Sequence, residues 1–365
     1  MKKILCLIDT LGMGGAERQI IGLTLLLKEK GYHVDLVTYY DHDFYAELVD
    51  RYGLGSVTLH TKDNKWSKLN AVRKFIKRAG GYDWVIAYKD GPTMISCMLK
   101  MLGVKFHLIV SERNTSQSVG FHDKIKFLLY RMADYVVPNA YAQEEYIKQN
   151  FAVLAAKTVT ITNFTDTDYF RPPILRPSND KLIIMTAARV ASQKNVLNYL
   201  AAIKRLKLEG YAEKVHFVWY GDVQTGEEAY GQECRYKRVE MGLEDMIDFY
   251  PATTNIVEEY QSCDVFCLPS LYEGFPNVIC EAMSCGKPIV CSRVCDNPYI
   301  VCENKNGIFF NPLDVDSISA SLRQMIEMPE QERQAWGQKS REISETLFSK
   351  EAFVQKYIGL IESKC

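Results

Sequence analysis

Residues 264–291 read DVFCLPSLYEGFPNVICEAMSCGKPIVC. DVFCL is a short apolar run of strand character, LYEGF a loop, NVICEAMSC a helical segment that Gly286 stops, and KPIVC a second apolar run. The order strand, loop, helix, strand predicts a βαβ unit with parallel strands. It puts Glu273 in the loop outside the carboxyl end of the first strand, where open α/β sheets collect their ligands. Asn277 is placed to cap the helix and Gly286 to terminate it.

The same alternation extends along the chain. Apolar runs at 4–8, 34–40, 84–88, 106–110 and 135–137 are separated by helical patterns, and a second series follows at 182–187, 215–220, 247–250, 264–268 and 288–291. Two doubly wound α/β halves are expected, a division that 365 residues also favour. NFTDTDYFRPPILRPSND, 163–180, has neither period and reads as the connection. The predicted domains are 1–165, a linker at 166–180, and 181–349. The helical face Phe353, Val354, Tyr357, Ile358, Ile361 lets a terminal helix, 350–365, return to the first half.

Composition excludes several classes. Forty-four basic against 45 acidic side chains leave a net charge of −1, so no overall field attracts nucleic acid. No apolar stretch reaches the roughly 18 residues a membrane span needs, and the N-terminal run is too short for a signal peptide, so a cytoplasmic protein is expected. The 11 cysteines include no CxxC pair, all six histidines lie at or before His216, and most cysteines sit in apolar patterns. They read as small core hydrophobes, and neither a metal nor a resident cofactor is expected.

Glu281 follows Asn277 by about 6 Å of helix rise and stays near the helix mouth. Backbone donors there favour an anion such as a diphosphate. Two carboxylates aimed at phosphate would repel it, whereas carboxylates gripping hydroxyls on either side of it would not. Spacing alone is equally served by a loop glutamate and a second one favoured by the helix dipole.

The whole stretch SLYEGFPNVICEAMSCGKPIV strongly resembles the retaining glycosyltransferases of group 1, or family 4, whose hallmark is two glutamates with seven residues between them. The resemblance implies the GT-B architecture, with two Rossmann-like domains facing a central cleft. It implies that Glu273 contacts hydroxyls of the transferred sugar, that backbone at Gly274, Phe275, Pro276, Asn277 and Val278 meets the sugar and diphosphate, and that Glu281 holds the ribose. TAARVASQKN, 186–195, resembles the segment supplying the diphosphate's cations, here Arg189 and Lys194. Fixed cations stabilise the charge that builds on a departing diphosphate and can replace a divalent metal. DTLGMGGAERQ, 9–19, resembles the family's GGAER loop, with Gly14 and Gly15 on the donor side. Relatives often carry a histidine near VSERNTS, 110–116; here Glu112, Arg113 and Asn114 stand as acceptor-side candidates. Likewise, glycines common after the KPIVC strand give way to Val294–Asn297.

The implied activity is transfer of a sugar, with retention, from a nucleotide-sugar donor to a carbohydrate or lipid-linked glycan, as in cell-surface polysaccharide synthesis. A UDP-sugar is favoured over a GDP-sugar. One rival is an NAD(P)-dependent Rossmann oxidoreductase using Asp41 or Asp43 for ribose, but Glu17 stands where the dinucleotide fingerprint needs its third glycine. A glycosidase fits poorly, because carboxylates beside an anion site do not suit protonation of a neutral glycoside. A non-catalytic sugar-nucleotide-binding protein of the same fold is the third alternative. Finally, residues 65–81, KWSKLNAVRKFIKRAGG, form a basic amphipathic pattern: Trp66, Leu69, Val72, Phe75 and Ile76 make a stripe that packs on the sheet, and the basic rim suits an anionic membrane at the inner face of the cell membrane.

Overall fold

Alternate residues of β1 (Lys3–Leu7) feed two different cores: Ile4 and Cys6 pack on one side of the sheet, Leu5 and Leu7 on the other. A strand buried on both faces loses the polar alternation of a surface strand, which is why it reads as a continuous apolar run. The computed structural model describes residues 1–12, 14–41, 44–113, 120–175 and 180–364. The chain divides into one domain of Met1–Phe164 with Lys350–Cys365 and a second of Thr165–Ser349.

In the first domain β1 is joined by β2 (His33–Thr38), β3 (Ser56–Thr58), β4 (Trp84–Tyr88), β5 (His107–Glu112) and β6 (Tyr135–Pro138). The strands are all parallel, in the order β3-β2-β1-β4-β5-β6. The helices are α1 (Gly15–Glu29), α2 (Ala46–Arg51), α3 (Lys65–Arg78), α4 (Asp90–Met101), α5 (Phe121–Leu129) and α6 (Tyr141–Asn150).

The second domain repeats the plan with β7 (Leu182–Ala187), β8 (Val215–Tyr220), β9 (Ile247–Tyr250), β10 (Val265–Leu268), β11 (Ile289–Ser292) and β12 (Gly307–Phe310). Its parallel order is β12-β11-β10-β7-β8-β9. Its helices are α7 (Val196–Leu208), α8 (Glu228–Glu240), α9 (Ile256–Ser262), α10 (Asn277–Ser284), α11 (Asn297–Ile300), α12 (Val315–Glu327) and α13 (Glu330–Leu347). Both sheets have the doubly wound order, whose direction reverses between β1 and β4 and between β7 and β10. At such a switch point the loops part and leave a crevice.

The last helix, α14 (Lys350–Glu362), buries Phe353, Val354, Tyr357 and Ile361 in the core that also holds Ile20, Leu23 and Leu27 of α1. Each such burial contributes about 1.5–3 kcal/mol. Arg113 secures it further: the guanidinium lies over the Tyr88 ring and donates to Ser111 Oγ, Asn163 Oδ1 and the Tyr357 hydroxyl. The cysteines Cys6, Cys97, Cys234, Cys263, Cys267, Cys280, Cys285 and Cys291 are buried side chains of the two domains' cores.

One local expectation is corrected. Asn277 does not cap α10 but is its first helical residue, with Pro276 in the capping position and no side-chain cap. The proline ring fixes φ in the helical range, so the turn is entered one residue early. The far end follows the sequence: Gly286, at φ +72°, takes the left-handed conformation that ends the helix.

Candidate active site

At the switch point of the second domain, β7 and β10 lie side by side and their outgoing loops are stitched together. The Leu271 N–H donates to Gln193 O at 2.8 Å, and Gln193 Nε2 donates to Tyr272 O at 2.8 Å. Asn195, left-handed at φ +59°, sends its buried amide to Pro269 O and Pro312 O. Asparagine is among the few residues that tolerate that backbone conformation. These ties fix the short 3₁₀ turn Ser192–Lys194 against the Ser270–Glu273 loop.

Lys194 and Glu273 meet there, both mostly buried, with Nζ 2.5 Å from Oε1. Ser270 Oγ donates to the same Oε1 at 2.5 Å. Two donors therefore converge on one carboxylate oxygen, and among the described residues Oε2 has no hydrogen-bond partner. The Glu273 N–H donates to Cys295 Sγ at 3.4 Å, and Cys295 itself is held at φ +46°. Arg189, exposed at the end of β7, has no ion-pair partner among the described residues.

Glu281 is buried in the second turn of α10, where Tyr260 donates to its Oε2 at 3.2 Å. Burial, then the charge of Glu281, pushes the Tyr260 hydroxyl well above its ordinary range, so it stays a donor. Gly274 and Val278 are half-buried, and Phe275 turns its ring into the core against Phe348, leaving backbone rather than side chain toward the loop. The structure thus gathers Lys194, Glu273 and the 274–278 backbone in one place, with Arg189 on the same strand's exit. Ser270, Tyr260, Asn195 and Cys295 had not been singled out from sequence. Only Ser270, three residues before Glu273 in the loop, carried a local signal.

The first domain has a cluster of the same kind at its own switch point. Lys89, just after β4, donates to Glu17 Oε1 at 2.5 Å and to Asp9 Oδ1 at 3.1 Å. Burial opposes its charge, but the two carboxylates more than offset that and raise the ammonium above the ordinary lysine range. Lys89 stands at φ +67°, a conformation that costs about 1–3 kcal/mol in a non-glycine residue. Gly14 has no side chain for a specific reason: a Cβ there would come 2.3 Å from the buried Glu17 carboxylate. Gly15 opens α1.

The acceptor-side candidates lie in internal networks. Glu112 is fully buried and pairs with Lys126 at 2.8 Å, while Arg113 is committed to the contacts described above. Asn114 lies outside the described residues, as does Asp43. Asp41 pairs with His60 at 2.7 Å.

Two parallel six-stranded sheets of doubly wound order, with charged loops collected at their switch points, define a two-domain α/β protein of the GT-B type. A glycosyltransferase from Rickettsia africae has the same fold, with a TM-score of 0.86, 16% identity and 99% of this chain and 98% of that one covered. Anabaena HepE, solved in complex with UDP, has a TM-score of 0.85 at 19% identity over 100% of both chains. Among sequence relatives, the N-acetylgalactosamine-N,N'-diacetylbacillosaminyl-diphospho-undecaprenol 4-alpha-N-acetylgalactosaminyltransferase of Campylobacter jejuni is 26% identical over 314 residues, 80% of this chain and 81% of that protein. Residues 169–343 match the family described as glycosyl transferases group 1. That match covers nearly all of the second domain, and together with these relatives and the fold it supports a group 1 glycosyltransferase.

Proposed function

We propose that this glycosyltransferase moves a sugar from a nucleotide-sugar donor, a UDP-sugar before a GDP-sugar, to a lipid-linked glycan with retention of configuration. The observation that carries the reading is the half-occupied Glu273 carboxylate. Lys194 and Ser270 hold Oε1, so Oε2 is oriented to accept from a sugar hydroxyl. Glu281, fixed by Tyr260, takes the ribose hydroxyls. The acceptor and donor classes gain support from the Campylobacter relative, named for a diphospho-undecaprenol substrate, and from UDP in the HepE complex.

The chemistry follows from charge. As the glycosidic bond to the diphosphate breaks, negative charge develops on the leaving phosphate. Arg189 and the two Lys194 donors not used by Glu273 stabilise that charge more than they stabilise the bound donor. The acceptor oxygen attacks the anomeric carbon from the face the diphosphate leaves, and its proton passes to a departing phosphate oxygen. The products are the extended glycan and a nucleoside diphosphate. The two cations make a divalent metal unnecessary. In this reading the enzyme serves cell-surface polysaccharide synthesis in the cytoplasm, at the inner face of the membrane.

The test is transfer from UDP- and GDP-sugars to a polyprenyl-diphosphate glycan, with and without EDTA, the new linkage being assigned by NMR. An α-linkage from an α-donor, formed in EDTA and reduced in Lys194→Ala, is expected. An inverted product or an EDTA-dependent one defeats the corresponding part of the reading.

A further inference from the structure

The nine-residue helix α5 presents apolar side chains both to the core and to water. Phe127 is buried in the first-domain core. Phe121, Ile125 and Leu128, at successive turns of the exposed side, are 80%, 40% and 60% exposed. Single exposed hydrophobics need no explanation, but three in register on so short a helix leave a continuous apolar edge in water.

The surroundings say what covers it. α4 packs against both α3 and α5, and the buried residues of all three helices share one core on the same side of the sheet. Their outward sides therefore belong to one surface. On α3 the expected apolar stripe is mostly internal, with Leu69, Val72 and Ile76 buried and Phe75 stacked on Tyr82, while Trp66 stays 68% exposed. Lys65, Arg73, Lys74, Lys77 and Arg78 are exposed there and form no ion pair among the described residues. The helix contains no carboxylate at all. Exposed Lys124 and Arg131 add positive charge beside the α5 stripe. In a chain of net charge −1, this is a local concentration.

We infer that the α3–α5 face docks on an anionic lipid bilayer, with Phe121, Ile125 and Leu128 entering the interface and the α3 cations held by the headgroups. The sequence placed the lipid-facing role on α3; the structure divides it, giving α5 the apolar contact and α3 the electrostatic rim. Apolar insertion plus cationic attraction is the physics of a reversible interfacial helix. A second copy of the chain is the weaker occupant, because a two-fold contact through this face sets the α3 cations against one another. The inference gives the lipid-linked acceptor of the preceding section its setting, yet its deciding measurement, vesicle binding, involves neither donor nor acceptor.

The full-length protein is floated with phosphatidylcholine vesicles and with phosphatidylcholine–phosphatidylglycerol vesicles. Binding to the second and not the first, weakened by salt, is expected. The triple variant Phe121→Ser, Ile125→Ser, Leu128→Ser and, separately, Lys74→Glu with Lys77→Glu should each lower vesicle partitioning at least tenfold. All five residues are exposed, so Tm is unchanged, and transfer to a water-soluble acceptor is kept while transfer to a vesicle-embedded one falls. No binding to anionic vesicles, or undiminished binding of the triple variant, overturns the inference. So does concentration-dependent dimerisation that the triple variant abolishes, which assigns the face to a second copy. Vesicle binding without any glycosyl transfer would sink the catalytic reading and leave the docking face standing.

Discussion

Lys194 Nζ and Glu273 Oε1 lie 2.5 Å apart although 79 positions separate them, because β7 and β10 are neighbours at the switch point of their sheet. The first domain places Lys89 against Glu17 in the same way, 72 positions apart across β1 and β4. In each case a loop lysine neutralises a mostly buried carboxylate that backbone hydrogen bonds alone do not satisfy.

The two partners of the second-domain pair should differ in how their removal affects binding and turnover. Lys194→Ala deletes a cation facing the leaving diphosphate and is expected to lower kcat about 10²–10³-fold. It should also remove most of the rise in Tm that a donor nucleotide sugar produces, since that rise scales with concentration over Kd. Glu273→Gln keeps the shape but not the charge, so it should lose turnover while retaining more of the donor-induced rise. Equal turnover in wild type and Lys194→Ala is the damaging result.

Ser270 acts through Glu273, and its substitution tests that directly. Ser270→Ala removes one of the two bonds to Oε1, each worth about 1.5–3 kcal/mol as a bond to a charged group, and should reduce kcat/KM roughly tenfold or more. In a Glu273→Gln background the same change should cost far less, the non-additivity expected of residues in contact. Strictly additive losses would show that Ser270 works independently of the carboxylate.

Ten of the twelve strands are legible as apolar runs because strands covered on both faces must be apolar throughout. The two that are not are edge strands: β3, SVT, is only three residues long, and β12, GIFF, follows the polar loop residues 303–306. The chain of loops at the strand ends is equally legible, which is why Glu273, Lys194 and Gly14 could be singled out at all. Pairings across those ends were not. Nothing in Lys89 or Tyr260 announces a partner in another βα unit, since contact between adjacent strands is a property of strand order and not of local pattern. Glu112 illustrates the converse: a strand-end carboxylate that looks available in sequence is enclosed by Lys126 and Tyr130 in three dimensions.

The Glu112–Lys126 pair is buried, so its halves are not interchangeable with its loss. Lys126→Met leaves Glu112 without its counter-charge and should cost about 3–5 kcal/mol, whereas Lys126→Met with Glu112→Leu should recover most of it. Denaturant unfolding of the three proteins reads this. pH adds a sign. Burial disfavours the Lys126 ammonium, but Glu112, Asp90 and Asp123 more than offset that and raise it above the ordinary lysine value of 10.5. The resulting stabilisation is complete below that value and lost as pH climbs through the raised one. Wild type should therefore lose, above pH 10.5, a contribution that the double variant lacks.

Thiol chemistry offers an independent view of the Glu273 loop. Burial pushes Cys6, Cys97, Cys234, Cys267 and Cys285 up to about 12, and Cys280 and Cys291 well above the ordinary thiol range, so at pH 8 these remain protonated and enclosed. Among the described cysteines, Cys302 is exposed and should react first with a thiol reagent. Cys295 is only half-buried, but burial also raises its thiol, with Asp296 and Glu273 adding to the rise, so it should follow more slowly. Because its sulfur accepts the Glu273 N–H, a donor sugar seated on Glu273 should slow labelling at Cys295 and leave Cys302 unchanged. Peptide mapping by mass spectrometry distinguishes the two sites. Protection of both, or of neither, would place the donor away from this loop.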